Sequence, residues 1–178
     1  DGVREAVPLS RHTTMRVGGP ARFLANAGDG AALVELICWA DAEVLPWVVL
    51  GEGSNVLFAD EGYDGLVIVF VRPDTEPELL PCNDGAATAT VEVGAGMPLA
   101  SLARWASRRG LSGLEWAAGL PGTVGGAVVG NAGAFGGCMA DTLASVMLGS
   151  ADGTQRIEAR DLGLGYRTSV LAGGLREA

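Results

Sequence analysis

Two glycine-rich stretches carry the residue types with which a backbone holds phosphate or lies against a flat ring. The first is Gly51-Glu-Gly-Ser-Asn55. Consecutive main-chain N–H groups in such a turn can form a concave anion site, and the Ser54 hydroxyl and Asn55 amide add donors. The same stretch also reads as a glycine hairpin that only reverses the chain. It lacks the lysine and the helix start of a P-loop, and it lies between two strand-like runs, so it is no Rossmann fingerprint. The second stretch, Trp116 to Ala140, has 25 residues without a charged side chain, eight of them glycine. Its length invites a membrane reading. Its glycines argue against one, because each costs a helix interior about 1 kcal/mol relative to alanine.

Within that stretch, Pro121-Gly-Thr-Val-Gly-Gly126 reads as a tight turn followed by close-packed backbone, and Asn131-Ala-Gly-Ala134 as another turn. Tight packing alone explains one or two of the eight glycines. Thr123 and Asn131 are polar among apolar neighbours. Buried, they need partners, which a flavin pyrophosphate or ring edge would supply. Two such loops in one chain point to a large nucleotide-type ligand.

The elements that must position these loops follow from periodicity. Ala21 to Ala27 reads as a strand. Asp29 to Ala42 reads as a helix with Ala32, Leu33, Leu36, Ile37 and Ala40 on one face. Pro46-Trp-Val-Val-Leu50 is an apolar run of the kind found in strands buried on both sides. Val56-Leu-Phe58 reads as a further strand, Asp60 to Gly65 as a turn, and Leu66 to Val71 as a third strand. Arg72 to Ala87 is a linker or an edge hairpin, and Thr88 to Val93 a strand. Pro98 to Arg109 is an amphipathic helix with Gly110 as its C-terminal stop. Leu143 to Gly149 and Thr154 to Glu158 form a hairpin around Ala151-Asp-Gly153. Ala159 to Leu162 is one helical turn, leading to Gly165-Tyr-Arg-Thr-Ser169.

The totals set limits. With 178 residues the chain makes one domain or two small ones. A chain of that size buries about 70% of its unfolded surface, so it needs no metal or disulfide to hold a core. The net charge of −9 disfavours nucleic acid and anionic membranes. It leaves phosphate-bearing small molecules open, since main-chain N–H groups hold phosphate without lysine. Cys38, Cys82 and Cys138 are widely spaced, and His12 is the one histidine. A metal site is therefore not expected, and a reducing, cytoplasmic setting is. No signal peptide is visible.

Seven motifs in order then carry a resemblance. They are His12-Thr-Thr-Met-Arg-Val-Gly-Gly-Pro20, Val49-Leu-Gly-Glu-Gly-Ser-Asn-Val-Leu57, Val93-Gly-Ala-Gly96 and Gly110-Leu-Ser-Gly-Leu-Glu115. After them come Gly119-Leu-Pro-Gly-Thr-Val-Gly-Gly-Ala127, Asn131-Ala-Gly-Ala-Phe-Gly-Gly137 and Tyr166-Arg-Thr-Ser169. In this order and spacing the chain resembles the UDP-N-acetylenolpyruvoylglucosamine reductases (UDP-N-acetylmuramate dehydrogenases) of peptidoglycan precursor synthesis.

The resemblance implies an α+β (α/β) fold: the two-subdomain FAD-binding module of the vanillyl-alcohol oxidase, or PCMH, type. The subdomains would be residues 1–71 and 72–178, with FAD between them. Gly51, Glu52, Gly53, Ser54, Asn55 and Val56 would hold the FAD pyrophosphate. Gly119, Pro121, Gly122, Thr123, Gly125, Gly126, Asn131, Gly133 and Ala134 would line the pyrophosphate and the isoalloxazine ring. In the family NADPH reduces the flavin, and UDP-N-acetylglucosamine enolpyruvate is the substrate. Arg167 matches the catalytic arginine. A planar, permanently charged guanidinium can clamp the substrate carboxylate and stabilise an enolate. Tyr166 beside it is a substrate contact. A monomer is expected.

Other singled-out residues carry no implied chemistry. His12 reads as a loop or capping residue, Glu115 as a structural cap, the four tryptophans as core, and Asp60, Glu61 and Asp64 as a solvated turn. The family's proton-donating serine and a further glutamate belong to a C-terminal domain that these 178 residues do not include, so the sequence reads as the FAD-binding part, inactive alone. Gly130, Phe135, Cys138 and Leu164 depart from the family's usual residues. Two rival readings follow: an FAD-binding remnant without catalysis, or another flavin-linked oxidase of the same fold.

Overall fold

The computed structural model describes residues 2–72, 76–81, 88–150 and 153–175. They group into two compact units. One comprises the residues up to 71 together with 147–150 and 153–156. The other comprises the described residues of 72–146 and 157–172.

The first unit is built on a four-stranded sheet in the order β1 (Arg4–Pro8), β2 (Pro20–Asn26), β4 (Tyr63–Val69), β3 (Trp47–Leu50). β1 is antiparallel to β2, whereas β2 and β3 both run parallel to β4. Leu66, Val67 and Ile68 are fully buried, as an unbroken apolar run in a parallel strand requires. Their side chains alternate between faces. Val67 joins Leu9, Leu24, Val48 and Leu50 on one side. Leu66 and Ile68 join Ala25 and Ala40 on the other, with Leu33, Leu36 and Ile37 packed against them. Those last three come from α1 (Gly30–Ala42), whose start is fixed by the Asp29 carboxylate accepting from the Ala32 N–H at 2.8 Å.

Two expectations fail in this unit. Val56-Leu-Phe58 forms no strand. Val56 and Phe58 pack against the sheet face while Leu57 is 70% exposed, so the alternation serves a coil laid across the sheet. The main chain there is engaged by a loop rather than a ladder: the Gly19 N–H donates to the Ala59 carbonyl at 2.9 Å. The turn expected over Asp60 to Gly65 ends at Gly62. Tyr63, Asp64 and Gly65 already belong to β4, where Asp64 pairs with Arg22 of β2 at 3.3 Å.

In the second unit, β5 (Glu78–Leu79) pairs antiparallel with β6 (Val91–Glu92), giving the edge hairpin. Residues 73–75 and 82–87, including Cys82, lie outside the described residues, as do Ala151 and Asp152 of the later turn. α2 (Leu99–Arg108) buries Leu99, Leu102, Ala103, Trp105 and Ala106. It stops at Gly110, whose φ of +70° lets the Leu111 N–H return to the Ala106 carbonyl at 3.1 Å. α2 packs into one core with Trp116, Val124, Val128, Met139 and Leu162. The expectation that all four tryptophans are core holds for Trp105 and Trp116. Trp39 is 37% exposed and meets Phe23 edge-on. Two ribbons follow: β7 (Gly133–Ala134) with β8 (Gly137–Cys138) in this unit, and β9 (Ser145–Ser150) with β10 (Gly153–Glu158), whose residues 147–150 and 153–156 group with the first unit.

The glycine-rich stretch, read from the sequence as a tight turn followed by close-packed backbone, holds a short helix there, α3 (Val124–Val129). Tertiary contacts override its poor propensity. The Thr123 hydroxyl caps it by accepting from the Gly126 N–H at 3.3 Å. The Val124 and Gly125 N–H groups donate to the carbonyls of Met97 and Ala95, both at 2.8 Å. Gly125 permits that approach, since a Cβ there would stand 3.0 Å from the Cβ of Ala95.

Candidate functional site

In the first unit, β3 runs directly into the loop Gly51 to Asn55. Gly53 is buried with φ +65°, and a Cβ on it would collide with the His12 carbonyl oxygen. The loop is stapled from below by the segment 12–19. The Thr14 N–H and hydroxyl both donate to the Gly53 carbonyl, at 3.0 and 3.3 Å. The Thr13 hydroxyl donates to the Val17 carbonyl at 2.9 Å, closing the turn beneath. The loop is therefore held through its carbonyl side. The main-chain N–H groups of Gly53, Ser54 and Asn55 donate to no acceptor among the described residues. That is the donor set an anionic diphosphate takes: several unengaged N–H groups on a backbone fixed by other atoms. The residues present fit the group.

His12 lies against this loop, its carbonyl oxygen standing where a Cβ on Gly53 would fall. Burial first, then the neighbouring charges of Arg4 and Arg11, lower its pKa below the ordinary 6.5, which favours the neutral imidazole. The residue holding this loop that the sequence reading did not single out is Thr14, with its neighbour Thr13. The available signal was the pair Thr13-Thr14, separated by three residues from the pair Gly18-Gly19, residue types that build turns through their hydroxyls and backbone freedom.

In the second unit, five of the eight glycines have reasons inside the chain. Gly122 and Gly136 hold left-handed backbone at φ +111° and +85°. Gly125 faces Ala95. A Cβ on Gly133 would stand 2.7 Å from the Cβ of Cys138, and one on Gly137 2.7 Å from the Trp116 ring. Close packing thus explains more of this stretch than the sequence allowed. Gly119 differs, since a Cβ on it would meet nothing within 4 Å. Gly126 and Gly130 have only contacts at 3.4 and 3.6 Å, to the Thr123 hydroxyl and the Gly126 carbonyl. The open side of this segment is at Gly119, Gly126 and Gly130.

Thr123 and Asn131 are buried, as expected, yet their partners come from the protein. Thr123 caps α3. The Asn131 Nδ2 donates to the Gly165 carbonyl at 2.8 Å, and its Oδ1 accepts from the Ala140 N–H at 3.0 Å. Each thus has partners inside the protein, with the Thr123 O–H and one Nδ2–H of Asn131 left over by these bonds. Glu115 plays the structural part expected: the N–H groups of its own residue and of Gly113 hold its carboxylate below the usual range, the Gly113 bond being 2.8 Å.

Tyr166 and Arg167 occupy the tip of a four-residue turn closed by paired bonds between Gly165 and Thr168, at 3.0 and 3.3 Å. Tyr166 is 93% exposed. Arg167 is exposed too, in left-handed backbone at φ +56°. Among the described residues no carboxylate lies within ion-pair range of its guanidinium. The turn thus presents a fixed cation and a phenol to solvent.

A family model described as an FAD binding domain matches residues 21–157. The chain belongs to this family. It is 46% identical over 171 residues to a UDP-N-acetylenolpyruvoylglucosamine reductase of Synechococcus sp. (strain RCC307), a match covering 95% of this chain and 54% of that protein. A second such reductase, from Symbiobacterium thermophilum, is 43% identical, with 96% and 54% covered. Among solved structures, the UDP-N-acetylenolpyruvylglucosamine reductase of Thermus caldophilus superposes with a TM-score of 0.72 at 37% identity, covering 94% of this chain and 57% of that one. A solvent-stable cholesterol oxidase superposes with a TM-score of 0.65 at 15% identity, covering 85% and 31%, which shows the fold alone. The chain spans about half the length of the curated relatives it matches. The fold is therefore the mixed α/β FAD-binding module of the vanillyl-alcohol oxidase type that the motifs implied, and FAD is its cofactor. Among the described residues no helix is long and apolar enough to cross a membrane.

Proposed function

We propose that this FAD-binding chain serves the reduction of UDP-N-acetylglucosamine enolpyruvate to UDP-N-acetylmuramate, with NADPH as reductant, in the cytoplasm and as a monomer. The observation that carries the reading is its 46% identity, over 95% of its length, to a protein of that name. The chemistry that FAD supplies when bound is hydride relay between a nicotinamide and a carbon–carbon double bond.

The chain's own residues would bind and orient. The unengaged N–H groups of Gly53, Ser54 and Asn55 would donate to the diphosphate, and the open backbone at Gly119 would let the cofactor approach. Arg167 would hold the enolpyruvyl carboxylate and stabilise negative charge that develops beside it. Its exposure at a hydrogen-bonded turn, with no carboxylate of the described residues within ion-pair range, supports that assignment. Tyr166 would contact the same substrate.

The test has two stages. FAD is added to the purified, folded protein and the visible spectrum recorded after desalting. Retained flavin absorbance is expected, and its absence counts against the binding claim. The chain is then grafted in place of the matching segment of the Thermus caldophilus reductase, and NADPH oxidation is followed with the enolpyruvate substrate. A graft that binds FAD yet reduces no enolpyruvate would leave an FAD-binding module of some other reaction. Flavin that stays attached after denaturation would favour a covalent flavin oxidase instead.

A further inference from the structure

The turn that presents Arg167 is anchored at both ends to one short stretch of chain. Its first residue, Gly165, gives its carbonyl to the Nδ2 of Asn131 at 2.8 Å. Just beyond its last residue, the Ser169 hydroxyl donates to the Val129 carbonyl at 2.7 Å and accepts from the Leu171 N–H at 3.2 Å. Val129 is the last residue of α3, and Asn131 lies two residues on. Both anchors are buried, Ser169 at 5% and Asn131 at 9% exposure, while the tip they flank is exposed. Buried hydrogen bonds of this kind fix geometry, because losing one partner leaves the other unsatisfied. Asn131 is further committed by its Oδ1, which accepts from the Ala140 N–H. It holds a left-handed φ of +40°, a conformation that asparagine tolerates better than most residues.

We propose that Asn131 and Ser169 are positioning residues that clamp the Tyr166–Arg167 turn to the end of α3. They hold the guanidinium in one presentation and join it mechanically to the glycine-rich segment. Asn131 then acts on the turn through its Nδ2 bond to Gly165, while its Oδ1 is committed to Ala140. The consequence for catalysis rests on the reading of Arg167 given above, whereas the clamp can be measured without any substrate.

The experiment is amide hydrogen exchange, read by mass spectrometry, on the cofactor-free protein, paired with limited trypsin digestion. The sequence contains no lysine, so trypsin cuts only after its 12 arginines, Arg167 among them. Asn131→Gly keeps the left-handed backbone and deletes the carboxamide. Ser169→Ala deletes the second anchor, and Ser169→Thr retains the hydroxyl. In both deletion variants exchange at residues 165–169 and cleavage after Arg167 should accelerate about five- to tenfold, the effect of one lost hydrogen bond on local opening. Ser169→Thr should restore wild-type exchange, and unchanged protection in α2 marks an intact fold. In the reductase graft, the same deletions should lower kcat/KM for the enolpyruvate by a larger factor than kcat/KM for NADPH. If Asn131→Gly fails to fold, Asn131→Asp replaces it. That variant retains the acceptor for Ala140 and faces the Gly165 carbonyl with a carboxylate, so the same loosening is expected. Exchange at 165–169 that stays at the wild-type rate overturns the clamp. So does flavin affinity lost with the turn unaltered, which would place Asn131 on the cofactor. A loosened turn in a graft that reduces no enolpyruvate would leave the clamp standing and remove the proposed reaction.

Discussion

Gly119→Ala separates a glycine kept for a ligand from glycines kept for packing. The new methyl group would meet no protein atom within 4 Å, and the position is not among those with left-handed backbone. The folded protein should tolerate it, and by narrowing the unfolded ensemble it should add about 0.4–1 kcal/mol of stability. A flavin lying against that backbone would meet the methyl group directly. If the cofactor retreats far enough to lose one charge-assisted hydrogen bond, the loss is roughly 1.5–3 kcal/mol, or about ten- to hundredfold in Kd. The control is Gly125→Ala. Its Cβ would stand 3.0 Å from the Ala95 Cβ and 3.1 Å from the Ala95 carbonyl oxygen, and overpacking of that kind costs about 1–3 kcal/mol. The assays are FAD titration by fluorescence quenching and urea unfolding of both variants. The expected result is a crossed pattern: Gly119→Ala slightly more stable than wild type but weak in flavin binding, Gly125→Ala destabilised. Wild-type FAD affinity in a folded Gly119→Ala protein would refute the idea that the cofactor approaches this face.

Three further outcomes follow from the geometry. Gly53→Ala, in left-handed backbone against the His12 carbonyl, should cost at least about 2 kcal/mol in urea unfolding. Because the His12 pKa is lowered in the fold, the unfolded chain binds that proton more readily. Its contribution is intact above pH 6.5 and is lost as pH falls from 6.5 through the folded value. His12→Gln should therefore flatten the pH dependence of unfolding just below pH 6.5, and an unchanged slope would exonerate His12. In a catalytically complete graft, Arg167→Ala should cut enolpyruvate reduction far more than flavin reduction by NADPH, and equal losses would remove it from the substrate step. Arg167→Gly should add roughly 1 kcal/mol of stability by relieving the left-handed backbone, with the same catalytic defect.

What the sequence made legible was what depends on local periodicity. α1, with Asp29 at its head, and α2, with Gly110 at its foot, can be read directly, because an amphipathic stripe and a cap are properties of a dozen adjacent residues. The buried run at Leu66 to Ile68 is legible for the same reason. α3 was not, since its stability comes from Ala95 and Met97, some thirty residues earlier in the chain. Val56 to Phe58 misled because a coil crossing an apolar sheet face alternates as a strand does. Asn131 and Thr123 misled in a third way. A sequence shows that a buried amide needs partners and does not show who provides them, and here the providers are Gly165, Ala140 and Gly126.

The distribution of strain bears on which residues matter for function. A turn that only reverses the chain is made most cheaply with glycine, as at Gly136. In the second unit Asn131, Phe135 and Arg167 adopt left-handed backbone, at φ +40°, +51° and +56°, with side chains that disfavour it by about 1–2 kcal/mol each outside asparagine. Such a cost persists where the surrounding structure holds the backbone in place. For Asn131 that hold is visible in two buried hydrogen bonds. Phe135, 93% exposed, shares the two-residue turn between β7 and β8 with Gly136, and positive φ at both positions is what the twist of such a hairpin asks for. Arg167 stands in a turn whose flanks are held by Asn131 and Ser169. The fold thus fixes its backbone, while its guanidinium makes no ion pair among the described residues; under the proposed function an anionic substrate group would be its partner.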